Sequence, residues 1–246
     1  MRHLSVAAAG LALIAGVAAS PATAAAKSFS PAQQAEIGEV VKQYLLDHPE
    51  VLIDAMSVLQ ARQDQAAKDK AAAVIKSRPG DIYNDGYSFV AGNPNAKVTL
   101  VEFFDYNCGY CRKAFDKMMT LAAPNSKVRF IFKEFPILSP ESEVASKAAF
   151  AASKQNKYLE FHRGLMSHPG RANEQAIEDV AKKIGLSMDK FHKDMNSPDA
   201  EAHVSANLKL GSDLGLDGTP SFIVNGKVIS GWSEKDVDAA INGGKS

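Results

Sequence analysis

The sequence predicts an α/β fold in which a strand, a helix and a second strand precede a block of helices, and a hairpin and a final helix follow. Two runs of branched and aromatic residues, 98–105 and 128–135, are typical of buried strands. Five helical segments separated by Gly, Pro, Asn and Ser fill residues 141–214. Two short apolar runs joined by Asn225 and Gly226 then predict the hairpin.

The first 26 residues have the features of an export signal. Met1-Arg2-His3 is basic, residues 4–19 are apolar and small, and residues 22–24 and 24–26 both fit the small-x-small cleavage pattern. A membrane anchor is the alternative, but the stretch is short and rich in alanine. We therefore expect residues 1–26 to be removed and the mature protein to be exported, with the bacterial periplasm as its location.

Charge and length limit the classes of function. The chain has 28 Lys and Arg residues against 28 Asp and Glu residues, and 46% of its residues are hydrophobic. A balanced charge does not indicate a nucleic acid or an anionic surface as partner. Without the first 26 of the 246 residues, 220 remain, enough for one large domain or a domain with an appendage.

Residues 27–80 are predicted to form a helical region and a linker ahead of the main domain at 81–246. Ser30 is a suitable N-cap and Pro31 a suitable first helical residue. Two apolar stripes have helical spacing: Ile37, Val40, Val41, Tyr44 and Leu45, then Val51, Leu52, Ala55, Met56 and Leu59. The stripes either fold back onto their own domain or pair with other copies, and the polar stretch at 62–70 favours self-association.

The only two cysteines, Cys108 and Cys111, follow the first strand and begin a helix. This is the context of a redox motif. The positive end of a helix dipole favours the thiolate, which is the nucleophilic form. A structural disulfide across so short a loop would stabilise little, and a structural zinc site would need further ligands. The motif therefore predicts thiol–disulfide exchange, with Cys108, nearer the helix start, attacking and Cys111 resolving.

Several ordered motifs resemble the DsbA-like thioredoxin-fold proteins. They are the strand–CxxC–helix unit, the helical block and the segment Gly218-Thr219-Pro220-Ser221-Phe222, and they cover about residues 85–246. Together with the N-terminal helices and residues 47–52, Cys-Gly-Tyr-Cys is most similar to the suppressor of copper sensitivity protein C (ScsC) group. The resemblance implies a thioredoxin fold with a helical insertion at about 140–215 and an N-terminal oligomerisation region, a trimer being favoured over a dimer.

The resemblance also implies how clients are bound. Pro220 matches a cis-proline that faces the cysteines and lets the Thr219 backbone pair with an extended client chain. An ordinary trans-proline at the start of an edge strand is the alternative. Gly109 and Tyr110 lie between the cysteines, where they would contact clients and tune the thiolate. They lack the histidine of strongly oxidising DsbA proteins, which predicts a milder oxidant.

Two charged residues in the strands complete the predicted site. Glu102 precedes Cys108 in a strand that we expect to be buried, and Lys133 lies in the next strand. A buried carboxylate is rarely left unpaired. We therefore predict a Glu102–Lys133 pair beneath the cysteines that relays protons during exchange. The alternatives are a purely structural ion pair or a Glu102 that faces solvent.

Three functions remain open. The first is a disulfide isomerase or reductase for exported proteins with thiols or disulfides, kept reduced by a DsbD-like membrane partner. The second is a DsbA-type oxidase served by a DsbB-like partner. The third is a copper-tolerance protein that binds Cu(I) through Cys108 and Cys111, because thiolates suit this soft ion. No cofactor is expected beyond the redox-active Cys108–Cys111 disulfide.

Overall fold

A computed structural model describes residues 29–243. The predicted signal peptide therefore lies outside the described residues. The chain divides into two compact units, one extending to Ser57 and one beginning at Val58. None of the helices between residues 29 and 243 is both long and apolar enough to cross a bilayer.

The first unit contains helix α1 (Pro31–Asp47) and the start of helix α2 (Glu50–Ser77). A capping box starts α1, in which the Ser30 hydroxyl accepts from the Gln33 amide and the Gln33 side chain accepts from the Ser30 amide. This confirms the predicted helix start. Helix α1 buries none of its residues, and its predicted apolar stripe is largely exposed within this single chain.

The second unit is built on a five-stranded sheet in the order β1-β3-β2-β4-β5. Its strands are β1 (Val90–Gly92), β2 (Val98–Phe104), β3 (Val128–Glu134), β4 (Ser221–Val224) and β5 (Lys227–Ser230). Strands β2 and β3 are parallel, and the other neighbours are antiparallel. The turn between β4 and β5 contains Asn225 and Gly226, both with positive φ, as an Asn-Gly hairpin requires.

Within residues 29–243, eight further helices surround this sheet. They are α3 (Pro79–Tyr83), α4 (Gly109–Leu121), α5 (Pro140–Ser153), α6 (Tyr158–Met166), α7 (Glu174–Lys183), α8 (Met188–Met195), α9 (Pro198–Leu214) and α10 (Glu234–Ile241). Helix α4 joins β2 to β3, and α5–α9 form one insertion between β3 and β4. This is the element order that the sequence predicts. The short elements α3 and β1 were not predicted.

The sheet has a different hydrophobic core on each face. One core includes Leu100, Phe104, Phe130 and Phe132, which pack with both cysteines and with α5–α8. The opposite core includes Val101, Phe103, Ile131 and Ile223, with Ile75 of α2, Ile82 of α3 and Leu210 and Leu214 of α9. Because strand side chains alternate between faces, a shift of one residue moves a side chain from one core to the other.

The end of α2 belongs to the second unit, contrary to the predicted domain start at Asp81. Ile75 is buried in the core shared with α3 and α9, and Arg78 forms an ion pair with Asp213 of α9. The sequence does not indicate this packing, because the stretch before Ala71 is polar and only two residues of α2 are buried.

Glycine sets one close contact within the insertion. A Cβ atom built at Gly164 of α6 would lie 2.6 Å from a methyl carbon of Val180 in α7. Real Cβ atoms do not approach that closely, so α6 and α7 pack together only because residue 164 has no side chain. The position of α6, and of the chain that leaves it, depends on this contact.

Candidate active site

Cys108 forms the N-cap of α4, at the end of the loop that follows β2. Its Sγ accepts a hydrogen bond from the Cys111 amide, at 3.3 Å, and donates one to the Thr219 carbonyl, at 3.1 Å. Cys108 is 5% exposed, whereas Cys111 is fully buried one turn into the helix. Both are free thiols in this structure.

The two cysteines have opposite acidities. Hydrogen bonding lowers the pKa of Cys108 from 9.0 to about 6, with the Cys111 side chain the largest cause and burial acting against it. The amides of Cys111 and Tyr110 at the helix start also stabilise the Cys108 thiolate. Burial raises the pKa of Cys111 far above its ordinary value. Near neutral pH, Cys108 is therefore the more readily ionised thiol and Cys111 stays protonated.

The predicted cis-proline is present. The Thr219–Pro220 bond is cis and precedes β4, and the Thr219 carbonyl faces the Cys108 sulfur. The side-chain oxygen of Thr219 is buried without a hydrogen-bond partner. The backbone of Thr219, two residues before β4, thus lies directly beside the more acidic thiol.

Gly109 and Tyr110 lie at the surface between the cysteines. Tyr110 is 62% exposed, and the Lys113 ammonium lies 5.0 Å from its ring centroid. A Cβ atom at Gly109 would meet nothing within 4 Å. Open space beside Gly109 and an exposed aromatic ring are suited to contact with another chain.

Glu102 lies in the middle of β2, in the core that contains the cysteines. It is 2% exposed, and its Oε1 atom is buried without a hydrogen-bond partner. Burial, and to a smaller extent the negative charge of the Cys108 thiolate, raise its pKa to about 8. The Glu102 carboxylate in turn raises the pKa of Cys111. The solvent-facing alternative for Glu102 is therefore excluded.

The predicted Glu102–Lys133 pair is wrong. In the parallel register Glu102 lies opposite Phe132, and Lys133 lies opposite Phe103. Since neighbours in register share a face, Glu102 and Lys133 point to opposite faces of the sheet. The Lys133 ammonium, fully buried, instead binds an Asp85 oxygen at 2.6 Å and the Ser88 hydroxyl at 3.0 Å.

The Lys133–Asp85 pair is an ion pair of the opposite core. Against the effect of burial, the Lys133 charge and its hydrogen bond lower the pKa of Asp85 to about 2. Burial lowers the pKa of Lys133. The pair anchors the loop before β1 to the sheet, away from the cysteines.

Sequence reasoning missed the polar residues that hold the loop before Cys108. Asp105 is fully buried and accepts from the amides of Asn107, at 2.7 Å, and Leu138, at 3.0 Å. The Asn107 side chain binds the Ser142 hydroxyl and the Ala172 amide. A sequence does not show which backbone groups a side chain will bind. The two polar residues between β2 and Cys108, Asp105 and Asn107, were nevertheless a signal for a structured loop.

A second buried carboxyl, Glu134 of β3, was also missed. It accepts from the Tyr158 hydroxyl at 2.6 Å and contacts His203 Nε2 at 2.9 Å. Burial disfavours its charge, but the His203 contacts prevail and lower the pKa of Glu134. The cluster joins β3 to α6 and α9, and thus the sheet to the insertion.

Metal-ligating groups are few. No cluster of three or more His, Cys, Asp or Glu residues suited to a metal ion occurs between residues 29 and 243. The CxxC pair is the remaining soft-ligand candidate, and only Cys108 of the pair loses its proton readily.

Comparison with known proteins identifies the family. The family model described as Thioredoxin matches residues 84–243, which is more than half of the chain. The chain belongs to the thioredoxin family. A second model, described as the copper resistance protein ScsC N-terminal domain, matches residues 33–66. The predicted DsbA-like thioredoxin fold with a helical N-terminal region of the ScsC kind is thereby confirmed.

Solved structures of this thioredoxin-family branch are similar over most of their length. A thioredoxin-like oxidoreductase from Silicibacter pomeroyi is 38% identical with a TM-score of 0.63, covering 66% of this chain and 95% of that one. BcfH from Salmonella enterica Typhimurium is 28% identical with a TM-score of 0.69, covering 87% and 97%. The catalytic domain of Proteus mirabilis ScsC is 28% identical with a TM-score of 0.63, covering 69% and 95%.

Curated relatives of this thioredoxin-family chain include much longer proteins. A Na(+)/H(+) antiporter NhaA 1 from Salinispora arenicola is 30% identical over 141 residues, which is 56% of this chain and 22% of that protein. A probable disulfide bond formation protein D from Bacillus cereus is 27% identical over 152 residues, or 56% and 70%. The chain thus spans less than a quarter of the antiporter's length.

Proposed function

We propose that this protein is a thiol–disulfide oxidoreductase of exported proteins, with Cys108 as its nucleophile. The observation that carries the proposal is the difference in acidity within the CxxC pair. Cys108, at the start of α4, has a lowered pKa, whereas Cys111, fully buried one turn later, has a raised pKa. The signal-like N-terminus supports a periplasmic location. The likeness to ScsC, DsbA-type and disulfide-formation proteins supports the same chemistry.

Exchange proceeds in two balanced steps. The Cys108 thiolate attacks one sulfur of a client disulfide, the client S–S bond breaks, and the other client sulfur leaves as a thiolate. Cys111 then loses its proton and attacks Cys108, and the second client sulfur leaves. Two electrons pass to the client, and a Cys108–Cys111 disulfide forms. In isomerisation the client's own thiolate displaces Cys108, with no net electron transfer.

Glu102 is our candidate for the group that accepts the Cys111 proton. Its carboxyl lies in the same core as Cys111, has an oxygen without a partner, and interacts electrostatically with both sulfurs. A pKa of about 8 makes it an acid that changes state near neutral pH. The Lys133 half of the predicted relay is not part of this proposal.

Clients are proposed to bind as an added strand beside Thr219 and Pro220. The Thr219 carbonyl already meets the Cys108 sulfur, so a client backbone aligned there brings its own sulfur to the same point. The exposed Tyr110 ring and the open space at Gly109 supply side-chain contact without selecting one sequence. This suits a protein that acts on many clients.

We favour isomerase or reductase work over oxidation. Gly109 and Tyr110 place no histidine between the cysteines, so the thiolate is less stabilised than in strong oxidants. The exposed apolar residues of α1 and the match to an ScsC N-terminal domain support self-association, with a trimer favoured over a dimer. Several sites facing one space would hold a misfolded client by more than one contact. A DsbD-like membrane reductase would keep the site reduced, and a DsbB-like partner would serve an oxidase.

Two cysteine variants test the exchange mechanism. Cys108→Ala is expected to abolish insulin reduction. Cys111→Ala is expected to accumulate mixed disulfides with clients, because attack survives and resolution does not. Insulin reduction by Cys108→Ala at the wild-type rate would refute the assignment of the nucleophile.

A truncation tests the role of the N-terminal helices. A chain that begins at Val58 keeps the whole second unit and is expected to be a folded, redox-active monomer. It should lose the rescue of scrambled disulfides and keep dithiol oxidation. A monomeric full-length mature protein in light scattering, or undiminished isomerisation by the truncated chain, would contradict the oligomer model.

Cu(I) binding is the second candidate function, favoured by the match to a copper resistance protein's N-terminal domain. Two thiolates suit Cu(I), but Cys111 resists losing its proton. Competition with a coloured Cu(I) chelator, in wild type and Cys108→Ala, measures this. Equal copper retention by both would exclude the CxxC pair as the site.

A further inference from the structure

Arg112 is a charged residue beside the cysteines for which the exchange mechanism has no use. It directly follows Cys111, and its own amide donates to the Cys108 carbonyl at 3.1 Å, so it lies one turn after the nucleophile. Its side chain is half-buried. A guanidinium retains its charge in such a position and loses hydration, which destabilises the fold unless contacts compensate.

Its contacts are all to backbone carbonyls. Nε donates to the Tyr106 carbonyl at 3.1 Å, in the loop that leads to Cys108. Nη1 donates to the carbonyls of Met166, at 3.2 Å, and His168, at 2.6 Å, at the end of α6. One planar side chain thus ties the loop that carries the nucleophile to the helical insertion.

The charge of Arg112 is not neutralised by a carboxylate. Among the arginines between residues 29 and 243, Arg78 and Arg171 make ion pairs within 4.0 Å, and Arg112 makes none. Its Nη2 atom is buried without a hydrogen-bond partner, and so is His168 Nδ1 beside it. Burial lowers the pKa of Arg112. A partly buried cation without a carboxylate partner destabilises the fold. Its position next to a site where a thiolate forms therefore indicates a role beyond packing.

We propose that Arg112 is a positioning residue of the redox site: its guanidinium fixes the Tyr106–Cys108 turn against the helical insertion, in the geometry in which Cys108 caps α4, and so sets the fraction of Cys108 present as thiolate. The proposal rests on the proposed oxidoreductase function. It gives the insertion a direct part in the chemistry, because two of the three acceptor carbonyls belong to the last residue of α6 and to the segment that follows it.

Three full-length variants test this. Arg112→Met removes the charge and every donor, Arg112→Lys keeps the charge but loses the planar fork, and Arg163→Met removes an exposed positive charge from α6 as a matched control. The readout is the Cys108 pKa, from the ultraviolet absorbance of the thiolate against pH, with the urea midpoint measured in parallel. The other groups that act on this thiol are Cys111, Thr219, the helix amides and Glu102, and all variants keep them.

Arg112→Met is expected to raise the Cys108 pKa by about one unit, a tenfold loss of thiolate at acidic pH. Arg112→Lys should raise it by less, and Arg163→Met should leave it unchanged. A lower urea midpoint in Arg112→Met with an unchanged Cys108 pKa would mean a structural role alone and overturn the proposal.

Failure to fold does not remove the test. If Arg112→Met does not fold, Arg112→Lys decides, and a Cys108 pKa equal to wild type would overturn the proposal. The pKa measurement needs no client. Absence of exchange activity in the wild-type protein would therefore refute the proposed function separately from the role of Arg112.

Discussion

Replacing Glu102 by Gln is expected to remove a pH-dependent loss of stability. The folded-state pKa of Glu102 is about 8 against an ordinary 4.5, because burial first and the Cys108 thiolate second disfavour its charge. The folded protein therefore holds this proton more tightly than the unfolded chain does. The stabilising contribution is complete below about pH 4.5 and is lost as the pH rises toward 8.

The magnitude follows from the two pKa values. Each pH unit between them lowers the free energy of unfolding by about 1.4 kcal/mol, so this one group removes about 3 kcal/mol between pH 5 and pH 8. Gln cannot ionise and abolishes this slope. Its amide places an unpaired group where a carboxyl oxygen already lacks a partner, a pH-independent cost of about 1–3 kcal/mol. The informative quantity is thus the change with pH of the difference between variant and wild type.

Urea unfolding of the reduced proteins at four pH values from 5 to 8 measures this difference. Asp213→Asn is the control, because it removes a half-buried carboxyl of α9 whose pKa is lowered by its hydrogen bonds to Lys209 and Arg78, two partners that stay charged from pH 5 to 8. The stability that Asp213 contributes is lost only as the pH falls through its depressed folded-state pKa, so its difference from wild type should be flat from pH 5 to 8. Parallel curves for wild type and Glu102→Gln would refute the reasoning.

Three further predictions concern the thiol, the buried pair and the unit boundary. The Cys108 thiolate should titrate with a midpoint near pH 6 in ultraviolet absorbance, and a midpoint above about 8 would contradict the helix-start argument. Lys133→Met should lower the free energy of unfolding by about 3–5 kcal/mol, because it leaves Asp85 without its partner, and adding Asp85→Asn should restore part of this loss. A change in the Cys108 pKa in Lys133→Met would contradict the placement of the pair in the opposite core. A chain starting at Asp81 should be less stable to urea than one starting at Val58, by about 2 kcal/mol for the lost apolar end of α2, and equal midpoints would show that this end adds nothing.

The elements that the sequence predicts are those with local signals. Ser30 and Pro31 mark the start of α1, Asn225 and Gly226 mark the hairpin, and the strand before CxxC is apolar throughout. Strand β1 has three residues and is an edge strand that depends on β3, so its own sequence carries too little signal.

The residues of the candidate site likewise separate into those with a local sequence signal and those whose partners are distant in the sequence. The cysteines and the cis-proline belong to contiguous motifs, so the sequence locates them. The partner of Lys133 is 48 positions away, and the choice between Glu102 and Asp85 turns on a register difference of one residue. Arg112 binds only carbonyls, which every residue has, and sequence therefore cannot indicate its partners.

The lack of a side chain at Gly164 links α6, a helix without cysteines, to the acidity of Cys108 through Arg112. An added carbon would meet Val180, so the Val180 side chain or α6 itself must shift, and the Met166 carbonyl that anchors Arg112 belongs to the last residue of α6. Variation at residue 164 is thus coupled to volume at residue 180. A homologue with alanine at position 164 should have a residue smaller than valine at position 180. A homologue with alanine at position 164 and valine retained at position 180 should have a different Cys108 pKa, although both cysteines are unchanged.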